Sequence, residues 1–414
     1  MLEHFFDNPL VVEHLRSDPL SPHLDSFAAA LAGLGYARFT GRSQIDLLAR
    51  MGRWLAGNEL TVADLEERIV SRFLDEECCQ GHQRRGDRAT VRRFLEHLRC
   101  GGVIPVPEAV SDQHPRALVE SRYAQFLRTE RGLSTDTVQN YLPFVHRFLV
   151  ERFGDEALLL GALTSSDASA FILRHARSLS LGRAKLMVTV LRSFLRFLLQ
   201  HGAIATDLAA SVPSVSGWRQ ATVPKHLGSQ EVQRVLDSCN RTTAVGRRNH
   251  AILLLLARLG LRAGEVVVLE LDDVDWRAGE STVRGKGRLH DRLPLLADVG
   301  EAVATYVRQD RPRCASRRVF IRTRAPHRGF LSPAAVSTIV ERAVERAGLH
   351  PPMRGAHLLR HSLATGMLRG GASMAEIGQV LRHRSPTTTE IYAKVDFEGL
   401  RALAQRWPGR EVQR

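Results

Sequence analysis

Between residues 212 and 228 the chain reads VPSVSGWRQATVPKHLG, a stretch of proline, serine and glycine that interrupts any regular helix or strand. It reads as an interdomain linker, and the hydrophobic pattern differs on its two sides. On the N-terminal side, residues 115–211 are helical in period throughout. PRALVESRYAQFLRTER places apolar residues at 118, 119, 123, 126 and 127, and DTVQNYLPFVHRFLVERFG continues the pattern after a capping candidate at Ser134. SDASAFILRHAR and GRAKLMVTVLRSFLRFLLQHG complete a four-helix unit that stops at Gly202. On the C-terminal side, helical segments flank GEVVVLELDDVDWRAGESTVRGKGRLHDRLPL. That run brings β-branched residues and a glycine-flanked hairpin turn. The expected fold is mostly α and multidomain. It combines a helical domain at 115–211 with a mixed α+β domain at 229–414 that holds one small antiparallel sheet.

A chain of 414 residues exceeds one ordinary core, so two or three domains are expected. Its longest apolar run, AILLLLARLGL (251–261), is interrupted by Arg258 and is too short to span a bilayer. The N-terminus carries acids and lacks a signal-peptide order, and the five cysteines do not suggest a secreted disulfide framework. A cytoplasmic protein is expected.

Charge is unevenly spread. The total is +14, made of −3 in residues 1–110, +3 in 111–211 and +14 in 212–414. A polyanionic partner for the C-terminal half is the natural reading. Of the 58 basic residues only Lys185, Lys225, Lys286 and Lys394 are lysine. A lysine kept in such a chain invites a role for which guanidinium is unsuited, such as releasing a proton.

The region 1–110 holds a second helical pattern. VRRFLEHLRCGGVI (91–104) lines up with LRSFLRFLLQHGAI (191–204) at a constant offset of 100. Phe94, Leu95, Leu98, Gly102 and Ile104 match Phe194, Leu195, Leu198, Gly202 and Ile204. RWLAGNELTVAD similarly resembles RFLVERFG…LTSSD. Two readings stay open: a degenerate internal copy, or the common likeness of amphipathic helices that end in glycine.

Four stretches carry chemistry. LGLRAGEVVVLELDDVDW sets Arg262 just after an apolar helix with Glu265 three residues on, and VRGKGRLHDRLPL sets Lys286 at a hairpin tip. GAHLLRHSLAT places His357, Arg360 and His361 on one helical face. VLRHRSPTTTEIYAKV supplies His383 and, nine residues later, Tyr392. Taken singly, each has an ordinary structural reading as an ion pair, a solvated turn or a half-buried aromatic.

Together, in type, order and spacing, they resemble the tyrosine recombinase (phage integrase) family: Arg…Lys…His-x-x-Arg…His…Tyr, with an R-x-x-E first box and a G-K-G hairpin. The resemblance covers about 222–396. It extends more weakly over 115–211, which looks like the family's SAM-like, four-helix core-DNA-binding domain, and does not reach 1–110. One departure stands out: Arg382 precedes His383 where the family usually has glycine.

The resemblance implies a site-specific recombinase that joins DNA strands through a covalent 3′-phosphotyrosine. Tyr392 is the nucleophile and Arg262 and Arg360 stabilise charge on the non-bridging oxygens. His383 contacts the phosphate, His357 assists proton transfer or orientation, and Glu265 and His361 support. Lys286 is the candidate general acid for the leaving 5′ oxygen. The implied partners are double-stranded DNA gripped by a two-domain clamp, further copies of the chain in a tetramer on DNA, and partner recombinases of the same mobile element. No cofactor, metal, ATP or membrane is implied. The alternatives are a type IB-like topoisomerase and a non-catalytic DNA-binding accessory.

Three other features have readings of their own. Cys79, His82, His97 and Cys100, as C-x2-H and H-x2-C, have spacings that could hold zinc, but His97 and Cys100 read as parts of a packing helix. The basic run 82–93 reads as a DNA-touching loop or, preferably, a solvated face, in a region expected to contact protein or shape the assembly. Ser385-Pro386, or Thr387 with Glu390, would start a short helix carrying Tyr392. Beyond it, Phe397, Leu400, Leu403 and Trp407 form a tail stripe that packs in cis or in a neighbouring subunit.

Overall fold

The computed structural model describes residues 1–17, 19–82, 84–106, 114–154, 156–217, 224–285, 290–395 and 401. The chain divides into two compact units: Val106–Ala221, and Met1–Pro105 together with Thr222–Arg414.

The first 105 residues form five helices, α1 (Pro9–Arg16), α2 (Ser21–Gly33), α3 (Arg38–Gly57), α4 (Glu67–Cys79) and α5 (Asp87–Cys100). They share one core with Phe27, Leu48, Phe73 and Phe94 near its centre. The Val106–Ala221 unit holds four, α6 (Pro115–Thr129), α7 (Thr135–Phe153), α8 (Ser165–Ala176) and α9 (Leu181–Gln200). Its core centres on Tyr123, Phe148, Phe194 and Leu195.

These two helical sets share several local details. Phe27 meets Phe94 edge-on with ring centroids 5.2 Å apart, and Tyr123 meets Phe194 edge-on at 5.2 Å. Gly102 and Gly202 both take positive φ, +69° and +68°, just after α5 and α9. Val103 N donates to Leu98 O, and Ala203 N donates to Leu198 O, both at 2.9 Å. The capping pairs match too: Asp64 accepts from Thr61 N, and Asp167 from Thr164 N, at 2.8 Å each.

Residues 229–395 form α10 (Ser229–Asp237), α11 (Ala244–Arg258), α12 (Ala263–Val268), strands β1 (Val274–Asp275), β2 (Glu280–Arg284) and β3 (His290–Pro294), then α13 (Ala297–Gln309), α14 (Pro333–Arg346), α15 (Ala356–Arg369), α16 (Met374–Val380) and α17 (Pro386–Thr389). The strands pair antiparallel in the order β1-β2-β3, with Arg284 opposite His290 closing the hairpin. The apolar run of α11 is fully buried, as its lack of a polar face requires, and centres a large core that includes Val266, Val340, Leu358 and Leu359. A second, much smaller core gathers Ala364, Ile377, Leu381, Tyr392 and Val395. Helix α15 contributes to both. The five-helix region meets this domain where His327 N donates to Leu34 O at 2.8 Å and Ala325 packs against the N-terminal core.

Candidate active site

Helix α11 ends at Arg258, and the chain turns through Gly260 at φ +60°. A side chain there would meet Leu381 Cδ2 at 2.8 Å and Leu363 Cδ2 at 3.0 Å, so glycine lets this turn close on the small core. Arg262 follows as the residue preceding α12. Glu265 caps that helix by accepting from Arg262 N at 2.8 Å, and its other oxygen accepts from Arg262 Nη1 at 2.7 Å. Glu265 is a buried hub and not half of a surface pair.

Arg360, buried in α15, donates to the carbonyls of both Gly260 and Leu381. It thereby ties the turn before Arg262 to the turn before His383. Burial, with Arg262 and Arg382 nearby, pushes its guanidinium down to about 10. His357 lies one turn earlier, its ring centroid 6.2 Å from that of His361, and burial, then Arg360 and Arg262, hold its pKa below the usual histidine range.

Nδ1 of His361 lies 2.8 Å from Oη of Tyr392. Burial, then His357 and Arg360, lowers this imidazole to about 4, so it is neutral at physiological pH. Tyr392 is 1% exposed, and burial pushes its phenol up to about 12 against the opposing pull of Arg360. Nδ1 of His383 lies 2.8 Å from Oγ1 of buried Thr389. Burial first, then Arg360 and Arg262, lowers His383 to about 4 as well.

Ser385 does precede Pro386 at the start of α17, but its side chain makes no capping bond to the helix. That helix ends at Thr389, and Tyr392 stands on the following 3-10 turn, Glu390–Val395. The helix expected to carry the tyrosine is therefore two short turns, which places Thr389 against His383 and Tyr392 against His361. Lys286 and the tail stripe lie outside the described residues.

Arg382 resolves the departure at the final histidine. Helix α16 ends in a Schellman turn: His383 N donates to Gly378 O and Arg382 N to Gln379 O, both at 2.9 Å. The turn needs a left-handed residue, and Arg382 takes it at φ +54°, at a cost of roughly 1–2 kcal/mol for a non-glycine residue. Its side chain crosses to Glu265, Nη2 to Oε2 at 2.8 Å. Sequence reasoning missed this contact and those of Thr389 and His361 with their partners. The glycine expectation at 382 was the one available signal.

Arg262, His357, Arg360, His361, His383 and Tyr392 thus converge from three separated segments. The arrangement combines fixed cations with a phenol beside a neutral imidazole, chemistry suited to a phosphodiester. No helix among the described residues is long and apolar enough to cross a membrane.

Comparison with known proteins agrees. The Phage integrase family matches residues 225–398. Across 99% of its length and 99% of the relative's, the chain is 42% identical to the "Putative integrase/recombinase y4rA" of Sinorhizobium fredii. It is also 31% identical to the tyrosine recombinase XerD of Corynebacterium glutamicum, over 68% of this chain and 94% of that one. The chain belongs to the phage integrase, or tyrosine recombinase, family. The fold is that of XerH recombinase bound to a palindromic difH substrate (TM-score 0.55, 20% identity, 76% of this chain and 94% of that one). It also matches a lambda integrase dimer bound to a COC′ core site (TM-score 0.51, 18% identity, 79% and 90%).

Proposed function

We propose that the protein is a site-specific DNA recombinase that exchanges strands through a Tyr392–3′-phosphate intermediate, without metal or ATP. The observation that carries this reading is the 2.8 Å contact of Tyr392 Oη with a neutral His361, inside the arginine set. A phenol near pKa 12 does not ionise by itself at neutral pH. Its proton passes to His361 as Oη attacks phosphorus. Arg262 and Arg360 stabilise the charge built on the non-bridging oxygens, with His383 donating to the same phosphate. The P–O5′ bond breaks, and the leaving 5′ oxygen takes its proton from Lys286. The phosphodiester energy is kept in the new bond, so a second 5′ hydroxyl can reverse the chemistry on another strand.

On this reading Val106–Ala221 and the catalytic domain each bind duplex DNA. The five-helix region is a second copy of the four-helix unit, supported by the matching ring pairs, glycines and caps. Because the region is net negative, it serves the assembly of several protomers. Integration or transposition of a mobile element is the setting these properties suit.

The test is to recover DNA covalently attached to the full-length protein in cells, with Tyr392→Phe as control. Adducts at recurring sequences that vanish in Tyr392→Phe are expected. Wild-type protein that forms no tyrosine-linked adduct overturns the reading. The recovered sequence also supplies the substrate for in vitro work.

A further inference from the structure

Glu265 is shared among three donors. Arg262 contributes its backbone N–H to Oε2 and Nη1 to Oε1, and Arg382 contributes Nη2 to Oε2. The Arg382 and Glu265 side chains are 7% and 5% exposed, whereas Arg262 is 39% exposed. The buried pair therefore lies behind Arg262, which keeps an open side. Arg382 also bonds Val380 O through Nη1 at 3.2 Å, while its buried Nε has no hydrogen-bond partner among the described residues. Its backbone is left-handed, where glycine would be unstrained. Two local penalties are thus accepted at a position where glycine would avoid both, and what the side chain gains is Glu265.

We propose that Arg382 is a positioning residue that divides Glu265 between two guanidiniums. It thereby leaves the exposed edge of Arg262 free for the scissile phosphate, and it ties the turn carrying His383 to α12. With glycine at 382, Oε2 would lose its one side-chain donor. The full carboxylate would face Arg262 alone and draw the guanidinium back from the phosphate. The turn would also lose the Arg382 side chain's bond to Glu265 on α12. Arg360 cannot replace that link, because it holds Leu381 through a carbonyl and touches Glu265 through no hydrogen bond. The lowered pKa of Glu265 agrees: burial would raise it, and the Arg262 N–H and the Arg382 charge outweigh that burial. The inference rests on the recombinase reading and concerns how one of its phosphate ligands is held.

The test compares full-length wild type with Arg382→Gly and Arg382→Lys on a nicked duplex bearing the sequence recovered from cellular adducts. Arg382→Gly relieves the left-handed strain, and thermal melting establishes that it is folded. Adduct formation by Arg382→Gly is expected to slow by about 10- to 100-fold, the scale of a misplaced transition-state group. DNA affinity is expected to stay within about 3-fold, and Arg382→Lys, which keeps the charge without the fork, to fall between. The discriminating substrate carries a neutral methylphosphonate at the scissile position. With less charge to stabilise, the gap between wild type and Arg382→Gly should close. If Arg382→Gly does not fold, Arg382→Lys carries the same two-substrate comparison, made with and without Glu265→Gln. Its defect should disappear in the Glu265→Gln background. Full-rate cleavage by Arg382→Gly overturns the inference. So does a loss of equal size on both substrates, or a Lys defect that persists without the carboxylate. Absence of an adduct from wild type would instead count against the parent reading.

Discussion

The candidate site has two sides, and they are built differently. Glu265, His357 and Arg360 stand on helices whose apolar faces belong to the large core around α11, and Arg262 immediately precedes one of them. Leu381, Arg382, His383 and Tyr392 stand on turns and very short helices around a core of five buried residues. The cations need a fixed place because preorganisation is what makes them effective. On the proposed reading Tyr392, 1% exposed and bonded to His361, has to become accessible to a phosphate. A small core releases a short segment with little disturbance of the large one. Helix α15 joins the two: Leu358 and Leu359 belong to the large core and Ala364 to the small one, with Arg360 and His361 between them.

The largest effect is expected from breaking the joint itself. Arg360→Ala removes a charge from the site and leaves the Gly260 and Leu381 carbonyls without their donor. Cleavage should fall by about 10²–10³-fold or more, and each orphaned carbonyl should cost about 1–3 kcal/mol. Adduct assays and thermal melts measure the two losses, and loss of rate without loss of stability would show that the two sides are not joined through Arg360.

His361→Gln should come next, with cleavage down by about 10²-fold at neutral pH. The competent imidazole is the neutral one, and its folded pKa is near 4. Wild type should therefore hold its rate as pH falls until it passes through about 4, provided the fold persists. Stability follows the same sign. An unfolded histidine takes up a proton near 6.5, so the contribution of neutral His361 and His383 is complete above that pH. It is lost progressively as pH falls from 6.5 toward 4. Amide exchange across 374–395 should accelerate over that interval before exchange in α11 does.

These contrasts mark what the sequence could convey. Periodicity located the helices, the β-branched run with its glycine-flanked turn located the sheet, and the spacing of Arg262, His357, Arg360, His383 and Tyr392 picked out side chains that converge in space. Gly102 and Gly202, and Phe94 and Phe194, keep the offset of 100, while the aromatics that meet the two phenylalanines edge-on, Phe27 and Tyr123, stand 96 apart. Contacts between distant segments leave no period. Arg382 meets Glu265 across 117 residues, and His361 meets Tyr392 across 31. Even there a trace was present, because an arginine in a glycine's place is a local conflict that only a tertiary contact can settle.

Ile377→Ala tests the independence of the two cores. Ile377 is fully buried in the small core, as Leu255 is in the large one, and each truncation should cost about 2–5 kcal/mol. Leu255→Ala should lower the melting temperature of the whole domain. Ile377→Ala should chiefly raise amide exchange in 374–395 while α11 stays protected. Equal loss of protection in both places would show that the two cores unfold as one.

The smallest effect is expected at Thr389, whose Oγ1 lies 2.8 Å from His383 Nδ1. For Nε2 of His383 to carry the hydrogen that reaches a phosphate, Nδ1 must accept, so the threonine hydroxyl has to donate. Thr389→Val keeps the shape and removes the donor, at about 0.5–1.5 kcal/mol, or roughly 2- to 12-fold in cleavage if it falls wholly on the transition state. Thr389→Ser should restore most of the rate. Nitrogen chemical shifts of His383 should show the Nε2–H tautomer in wild type and in the serine variant, and a tautomeric mixture with valine. An unchanged tautomer in Thr389→Val would mean that the turn fixes His383 through its backbone, and the small core would then be more rigid than its size implies.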